Sequence, residues 1–164
     1  MQSALCNCAL QTGVLAVGGW ASFTTSLSTC TFYDCVANRC TSLAPLNTAR
    51  QQAAAATHLD VVFVFGGWNG AVLDTVEQYD ATANKWTVLP TRLTVARRGL
   101  AAAVAGSHIY VVGGYDGTNR VTAVDRFDVF AHRFDVAPPL RSSVVAPAAA
   151  AVRVANDKGL AWLK

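Results

Sequence analysis

Apolar residues along this chain fall in short runs closed by turn residues, without the three-to-four spacing of an amphipathic helix. Val61-Val62-Phe63-Val64-Phe65 stops at Gly66-Gly67, and Ile109-Tyr110-Val111-Val112 stops at Gly113-Gly114. Between positions 53 and 89 four such runs follow one another: Ala53 to His58, Val61 to Gly66, Asp74 to Asp80 and Asn84 to Leu89. Most are rich in β-branched and aromatic residues, so the pattern predicts four short strands joined by tight turns. Gln51 to Ala56 reads as helix on intrinsic propensity alone. Its place in the pattern overrides that reading: Ala101-Ala102-Ala103 and Ala148 to Ala151 recur at the same place. Small side chains there suit an innermost strand crowded around a central channel.

The pattern repeats along the whole chain. The glycine pairs Gly18-Gly19, Gly66-Gly67 and Gly113-Gly114 lie 48 and then 47 residues apart. An aromatic-Asp pair follows each of them, at Tyr33-Asp34, Tyr79-Asp80 and Phe127-Asp128, and seven residues past the aromatic stand Cys40, Trp86 and Phe134. Leu46, Leu93 and Leu140 recur at 47-residue intervals, as do Ala49-Arg50 and Ala96-Arg97. A fixed period of this length with four strands per unit is the signature of small sheets packed face to face.

These landmarks together resemble the kelch repeat: an Arg entering the first strand, an apolar strand ending in Gly-Gly, an aromatic-Asp pair, then a Trp after a short turn. The resemblance implies an all-β, partial kelch β-propeller of three four-stranded antiparallel blades plus a remnant of a fourth. The expected boundaries are 1–46, 47–93, 94–140 and an incomplete 141–164. The middle segment fits best; the first has Gln2 where the Arg belongs and Cys40 where the Trp belongs, and the third has Phe134 in place of Trp. Kelch propellers close with more than three blades. The chain is therefore expected to be a fragment or truncated product of a longer propeller, with neither end capped. The first segment, with two charged residues in 46, is the less polar end.

Each landmark has a structural use. Gly18, Gly19, Gly66, Gly67, Gly113 and Gly114 are expected to supply left-handed backbone or close approach at a sharp strand end. Tyr33, Tyr79, Phe127 and Trp86 are expected to pack between blades. Asp34, Asp80 and Asp128 open turns in which a short carboxylate accepts backbone N–H bonds. Function is then left to the loops. The resemblance places partner contacts on the loops after the Gly-Gly strand and on those leading into each first strand. In this chain these are Trp68, Asn69 and Asp74, then Tyr115, Asp116, Asn119 and Arg120, with Arg50, Arg97 and Arg98 in the entering loops. Arginines beside aromatics suit a protein partner, and an acidic peptide is the expected ligand because a guanidinium fork grips a carboxylate with two bonds. Arg50 and Arg97 have a second reading, as braces between neighbouring blades.

The function implied is a protein-interaction module, a scaffold or adaptor. Some kelch propellers resemble sugar oxidases, epimerases or metal-assisted hydrolases, so a fragment of such an enzyme, or a product without independent function, are the alternatives. The sequence offers no nucleophile with its base and no paired carboxylates, and neither cofactor nor metal is expected. All five cysteines, Cys6, Cys8, Cys30, Cys35 and Cys40, fall in the first segment, with spacings unlike a zinc site; reduced, mostly buried thiols are expected. His58, His108 and His132 occupy three different places in the repeat.

Composition narrows the partners further. With 52% hydrophobic and 14% charged residues the chain is too apolar for disorder. The net charge of +3 is spread as 0, −1, +1 and +3 over the four segments, which gives no phosphate-tracking stripe for nucleic acid. No uninterrupted apolar stretch reaches membrane-spanning length, so no membrane is expected. The N-terminal residues lack the basic and apolar regions of a secretory signal, so a cytoplasmic location is expected, with the nucleus as the alternative. Self-association through uncovered blade faces is the remaining partner expectation.

Overall fold

Side chains alternate across a strand, so Val62 and Val64 point one way and Phe63 and Phe65 the other. All four are buried, which places their strand between two covered faces. The computed structural model describes residues 6–10, 13–22, 24–145 and 149, with nothing described of the side chains of 6–10. Among these residues every element is a β-strand.

The first sheet contains β1 (Cys6–Leu10), β2 (Gly13–Val17), β5 (Cys30–Asp34) and β6 (Arg39–Leu43), in that spatial order. A small hairpin, β3 (Trp20–Ser22) and β4 (Thr25–Ser26), is inserted after its glycine pair; the sequence pattern gave no sign of it. The second sheet is β7 (Ala54–His58), β8 (Val61–Phe65), β9 (Thr75–Asp80) and β10 (Lys85–Arg92). The third is β11 (Ala101–Ala105), β12 (His108–Val112), β13 (Val124–Asp128) and β14 (Arg133–Ala137). Every pairing is antiparallel between neighbours. β7 runs beside both β1 and β11, so the alanine-rich first strands form the inner edge, as small side chains favour. Of the fourth-blade remnant expected over 141–164, residues 141–145 and Ala149 are described, and its first strand, expected from Ala148 to Val154, lies outside the described residues apart from Ala149.

Two apolar seams hold the stack. Between the first and second sheets pack Leu15, Val17, Cys30 and Leu46 against Val62, Val64, Tyr79 and Trp86. Between the second and third pack Phe63, Phe65, Val76 and Leu89 against Ile109, Val111, Phe127 and Val129. Trp86 is buried against Tyr79, with ring centroids 5.0 Å apart, and its indole N–H donates to the Ala44 carbonyl at 3.0 Å. That bond satisfies the one polar atom of the ring inside the seam. Phe127 packs at 5.3 Å from Phe63 and 5.0 Å from Phe134. Tyr33 differs from its counterparts: it is 40% exposed and donates its hydroxyl to the Asn38 side chain. The expectation of a buried packing ring fails there because its face of the first sheet is uncovered.

Backbone bonds repeat with the same period. The second glycine of each pair donates to the residue entering the next sheet: Gly19 to the Arg50 carbonyl at 2.9 Å, Gly67 to Arg97 at 2.9 Å and Gly114 to Val144 at 2.8 Å. The first glycine sits with φ of 64°, 57° and 62° at positions 18, 66 and 113, in left-handed backbone. A Cβ on Gly66 would lie 2.5 Å from the Arg97 carbonyl oxygen. The glycine pair is thus where one sheet is tied to the next. Asp34, Asp80 and Asp128 each accept two backbone N–H bonds at 2.8–3.0 Å, closing the turn after the third strand.

The two outer faces of the stack differ. Register places Tyr110, Arg126 and Asp135 in one row across the third sheet, where the second sheet has Phe63, Gln78 and Thr87. Arg126 Nη2 donates to Asp135 Oδ2 at 3.1 Å. This face is therefore more polar than the uncapped end expected from the sequence. The first sheet presents Val14, Ala16, Tyr33 and Cys40, at the places of Val62, Val64, Tyr79 and Trp86.

The thiols are less buried than the composition suggested. Cys35 and Cys40 are exposed, because one lies in a turn and the other on the uncovered face, and only Cys30 is buried among the three cysteines with described side chains. Burial pushes the Cys30 thiol up to about 11 from an ordinary 9.0. The folded chain therefore keeps a proton that the unfolded chain releases, and this contribution to stability is full below about pH 9 and declines toward pH 11. Urea unfolding across that range should show a steeper alkaline loss for the wild type than for Cys30→Val; matching slopes would refute the assignment.

Candidate partner-binding face

The entering loops and the loops after the glycine pairs meet at one end of the sheets. At that end the arginines divide into two sets. Arg50 and Arg97 are 1% and 0% exposed, which removes both from any surface offered to a partner. Arg50 Nη2 meets Glu77 Oε1 at 2.6 Å, and Nη1 donates to the Gly66 carbonyl at 2.8 Å. Glu77 also accepts from the Asn47 backbone at 2.8 Å and the Thr48 backbone at 3.0 Å, so the entering loop is fastened to β9. Arg97 Nη1 meets Asp125 Oδ2 at 3.1 Å, and Asp125 accepts from the Thr94 hydroxyl at 2.6 Å. Burial pulls both guanidinium groups below their ordinary range, and the partner carboxylates push back. The bracing role is the one the geometry supports, within each arginine's own sheet.

Sequence reading missed Glu77 and Asp125, although a signal for them existed. Each stands two residues before the aromatic of the aromatic-Asp pair, in just those segments that carry Ala-Arg at their entry. The first segment has Thr31 at that place and lacks the Arg.

The second set stays at the surface. Arg98 exchanges backbone bonds with Tyr115 at 3.0 and 2.8 Å, and Tyr115 is bridged on its other side to Arg120. Directly opposed residues of an antiparallel ladder project to the same face, so Arg98, Tyr115 and Arg120 form one cross-strand row. The Arg98 guanidinium carbon lies 5.4 Å from the Tyr115 ring centroid, within cation–π range. The matching row of the second sheet is Gln51, Trp68 and Val72. The two rows adjoin: Gly99 donates to the Gln52 carbonyl at 2.8 Å, and a Cβ on Gly117 would come 3.8 Å from Val72. Ser26 of the β3–β4 hairpin donates to the Trp68 carbonyl at 2.9 Å, extending the face to the first sheet.

Other expected residues fall at this end. Asn69, Asn119 and Arg120 are exposed, while Trp68, Arg98, Tyr115 and Asp116 are half-buried. Asp116 accepts from the Asn119 and Thr118 backbones at 2.6 and 2.7 Å, which hold its carboxyl below the usual range. Asp74 lies 3.9 Å from Arg92, which belongs to the outer strand β10. At the opposite end a cavity of about 120 Å³ is lined by His58, Leu59, Phe63, Gln78, Phe130 and His132. Among the described residues no group of three or more His, Cys, Asp or Glu side chains is placed to hold a metal ion.

Comparison with known proteins settles the family. The family model described as the Kelch motif matches residues 49–92 and 96–141, more than half of the chain. The chain belongs to the kelch family. It is similar to Kelch-like protein 25 of Xenopus tropicalis, with 30% identity over 115 residues that cover 70% of this chain and 19% of that protein. It is also similar to Kelch-like protein 7 of Rattus norvegicus, with 34% identity over 99 residues, 58% of this chain and 16% of that protein. The kelch chain thus spans less than a fifth of these curated relatives. Among solved structures, one titled "Structure of YjhT" superposes with a TM-score of 0.71 at 18% identity, covering 84% of this chain and 52% of that one. That likeness carries the propeller fold. The two matched segments correspond to the second and third sheets, where the buried Arg–carboxylate pairs occur.

Proposed function

We propose that this kelch chain is a protein-interaction module whose glycine-pair loops bind an acidic peptide segment of a partner. The carrying observation is the Arg98–Tyr115–Arg120 row. Its guanidinium groups have no described hydrogen bond or ion pair, whereas Arg50 and Arg97 are consumed inside the fold. An uncommitted guanidinium beside an aromatic ring is the combination that anchors protein interfaces. The adjoining row of Gln51, Trp68 and Val72 offers apolar surface next to it, so the ligand read is an acidic residue flanked by an apolar one. The repeat boundaries 1–46, 47–93 and 94–140, with 141–164 opening a fourth blade, are part of the same proposal.

The test is an array of peptides bearing Glu or Asp beside Leu, Phe or Trp, probed with the wild type and with Arg98→Ala/Arg120→Ala. Capture should fall at least about tenfold in the double variant, since losing even one of the two charge-assisted hydrogen-bonding partners has that effect. It should also weaken as salt rises. Capture unaffected by the double substitution would overturn the reading.

A further inference from the structure

We infer that the Arg98–Tyr115–Arg120 row is built for a dianion, so that the preferred peptide carries a phosphorylated side chain rather than a carboxylate. This rests on the loop face being the binding face, as proposed above, and goes on to the charge state of the ligand. A carboxylate carries one negative charge, which a single guanidinium fork already neutralises. Here two arginines stand on opposite sides of one residue. Arg98 and Tyr115 form a hydrogen-bonded pair. Tyr115 and Arg120 form the alternating kind, bracketed by the bonds Asp116 N–H to Asn119 carbonyl at 3.1 Å and Val121 N–H to Gly114 carbonyl at 2.9 Å. Opposed Cα atoms in such pairs lie about 5.5 and 4.5 Å apart. Arg98 already lies over the Tyr115 ring, and a stem as long as that of Arg120 can bring its guanidinium to a phosphate bound there from the other side. A phosphomonoester, with three acceptor oxygens and close to two negative charges, can take a fork from each.

The second sheet sharpens the assignment. At the same two places it carries Gln51 and Val72, so neither guanidinium is demanded by the fold. Arg98 is held by its contact with the Tyr115 ring, which orders it before a ligand arrives. The charge near the row is not purely positive. Asp116 is the next residue after Tyr115, and its Oδ1 is turned into its own loop by the Thr118 and Asn119 backbones. Its charge opposes an arriving dianion, while its turn can be kept by an amide, which makes it a useful probe.

The experiment uses the full chain and three nonapeptide libraries, randomised except for phosphoserine, glutamate or serine at the centre. The phosphoserine library should be captured about tenfold more strongly than the glutamate one, the ratio one added charge-assisted bond supports. The preference should vanish in Arg98→Ala and in Arg120→Ala, and shrink in the corresponding lysine variants, which keep charge but lose the fork. Asp116→Asn should strengthen phosphoserine capture several-fold. Circular dichroism of each variant verifies the fold. Equal capture of phosphoserine and glutamate, lost with the arginines, overturns the dianion assignment and leaves the acidic-peptide reading standing. Capture indifferent to both arginines, or none in any library, overturns both.

Discussion

Arg50→Ala is expected to destabilise the chain by about 3–5 kcal/mol, the cost of leaving a buried carboxylate without its partner. Glu77, which is 0% exposed, would keep its bonds to Asn47 and Thr48 and lose the guanidinium at 2.6 Å. Gly66 and Thr75 would lose a donor to their carbonyls as well. The double variant Arg50→Met/Glu77→Leu removes charge and countercharge together and should recover part of the loss, the remainder being the Asn47 and Thr48 donors that Glu77→Leu leaves without their acceptor. The equivalent Arg97→Ala should cost less. Its Nε has no hydrogen-bond partner, and Ala123 stands where Thr75 supplies a hydroxyl to Arg50. Urea denaturation of the three variants beside the wild type gives the comparison. An Arg50→Ala protein within about 1 kcal/mol of wild type would show that the loop is fastened by other contacts.

Gly66→Ala is the second large effect, expected at about 2–5 kcal/mol from left-handed backbone and collision together. The added methyl would sit 2.5 Å from the Arg97 carbonyl oxygen and 3.2 Å from that of Leu73, and neither backbone atom can swing away as a side chain could. Gly106 supplies the control, since it has φ 59° against 57° for Gly66 but nothing within 4 Å of an added Cβ. Gly106→Ala should therefore cost only the backbone part, about 1 kcal/mol. Equal losses at the two sites would mean that conformation, and not close approach of the next sheet, explains the glycine.

Much of this architecture was legible because it rests on repetition. A strand that must be buried on both faces writes a continuous apolar run, as Val61 to Phe65 does before Gly66-Gly67, and Val14 to Val17 and Ile109 to Val112 repeat the run before the other two pairs. The glycine pairs and turn aspartates were readable for the same reason: their roles are local and backbone-based. The site was harder to read. Arg50 and Arg98 look alike in a sequence, and what separates them is a carboxylate 27 residues downstream of Arg50 that folds back over it. Cross-strand neighbours such as Arg98 and Arg120 are brought together only by register through Tyr115, which hairpin length alone does not fix. The exposure of Tyr33 and Cys40 follows from what stands next to the first sheet, which is a property of the stack and not of any one segment.

The row of Tyr110, Arg126 and Asp135 on the last described sheet also sets how such an array could lengthen in evolution. Copying the middle segment would lay Phe63 and Phe65 against Val62, Val64 and Trp86, an oily joint that forms at once. Copying the third segment would bury Arg126 and Asp135 in a new joint, with a guanidinium nitrogen that already has no partner. Duplication is thus favoured for the second segment and penalised for the third, so the segments are not interchangeable bricks even though their backbones match.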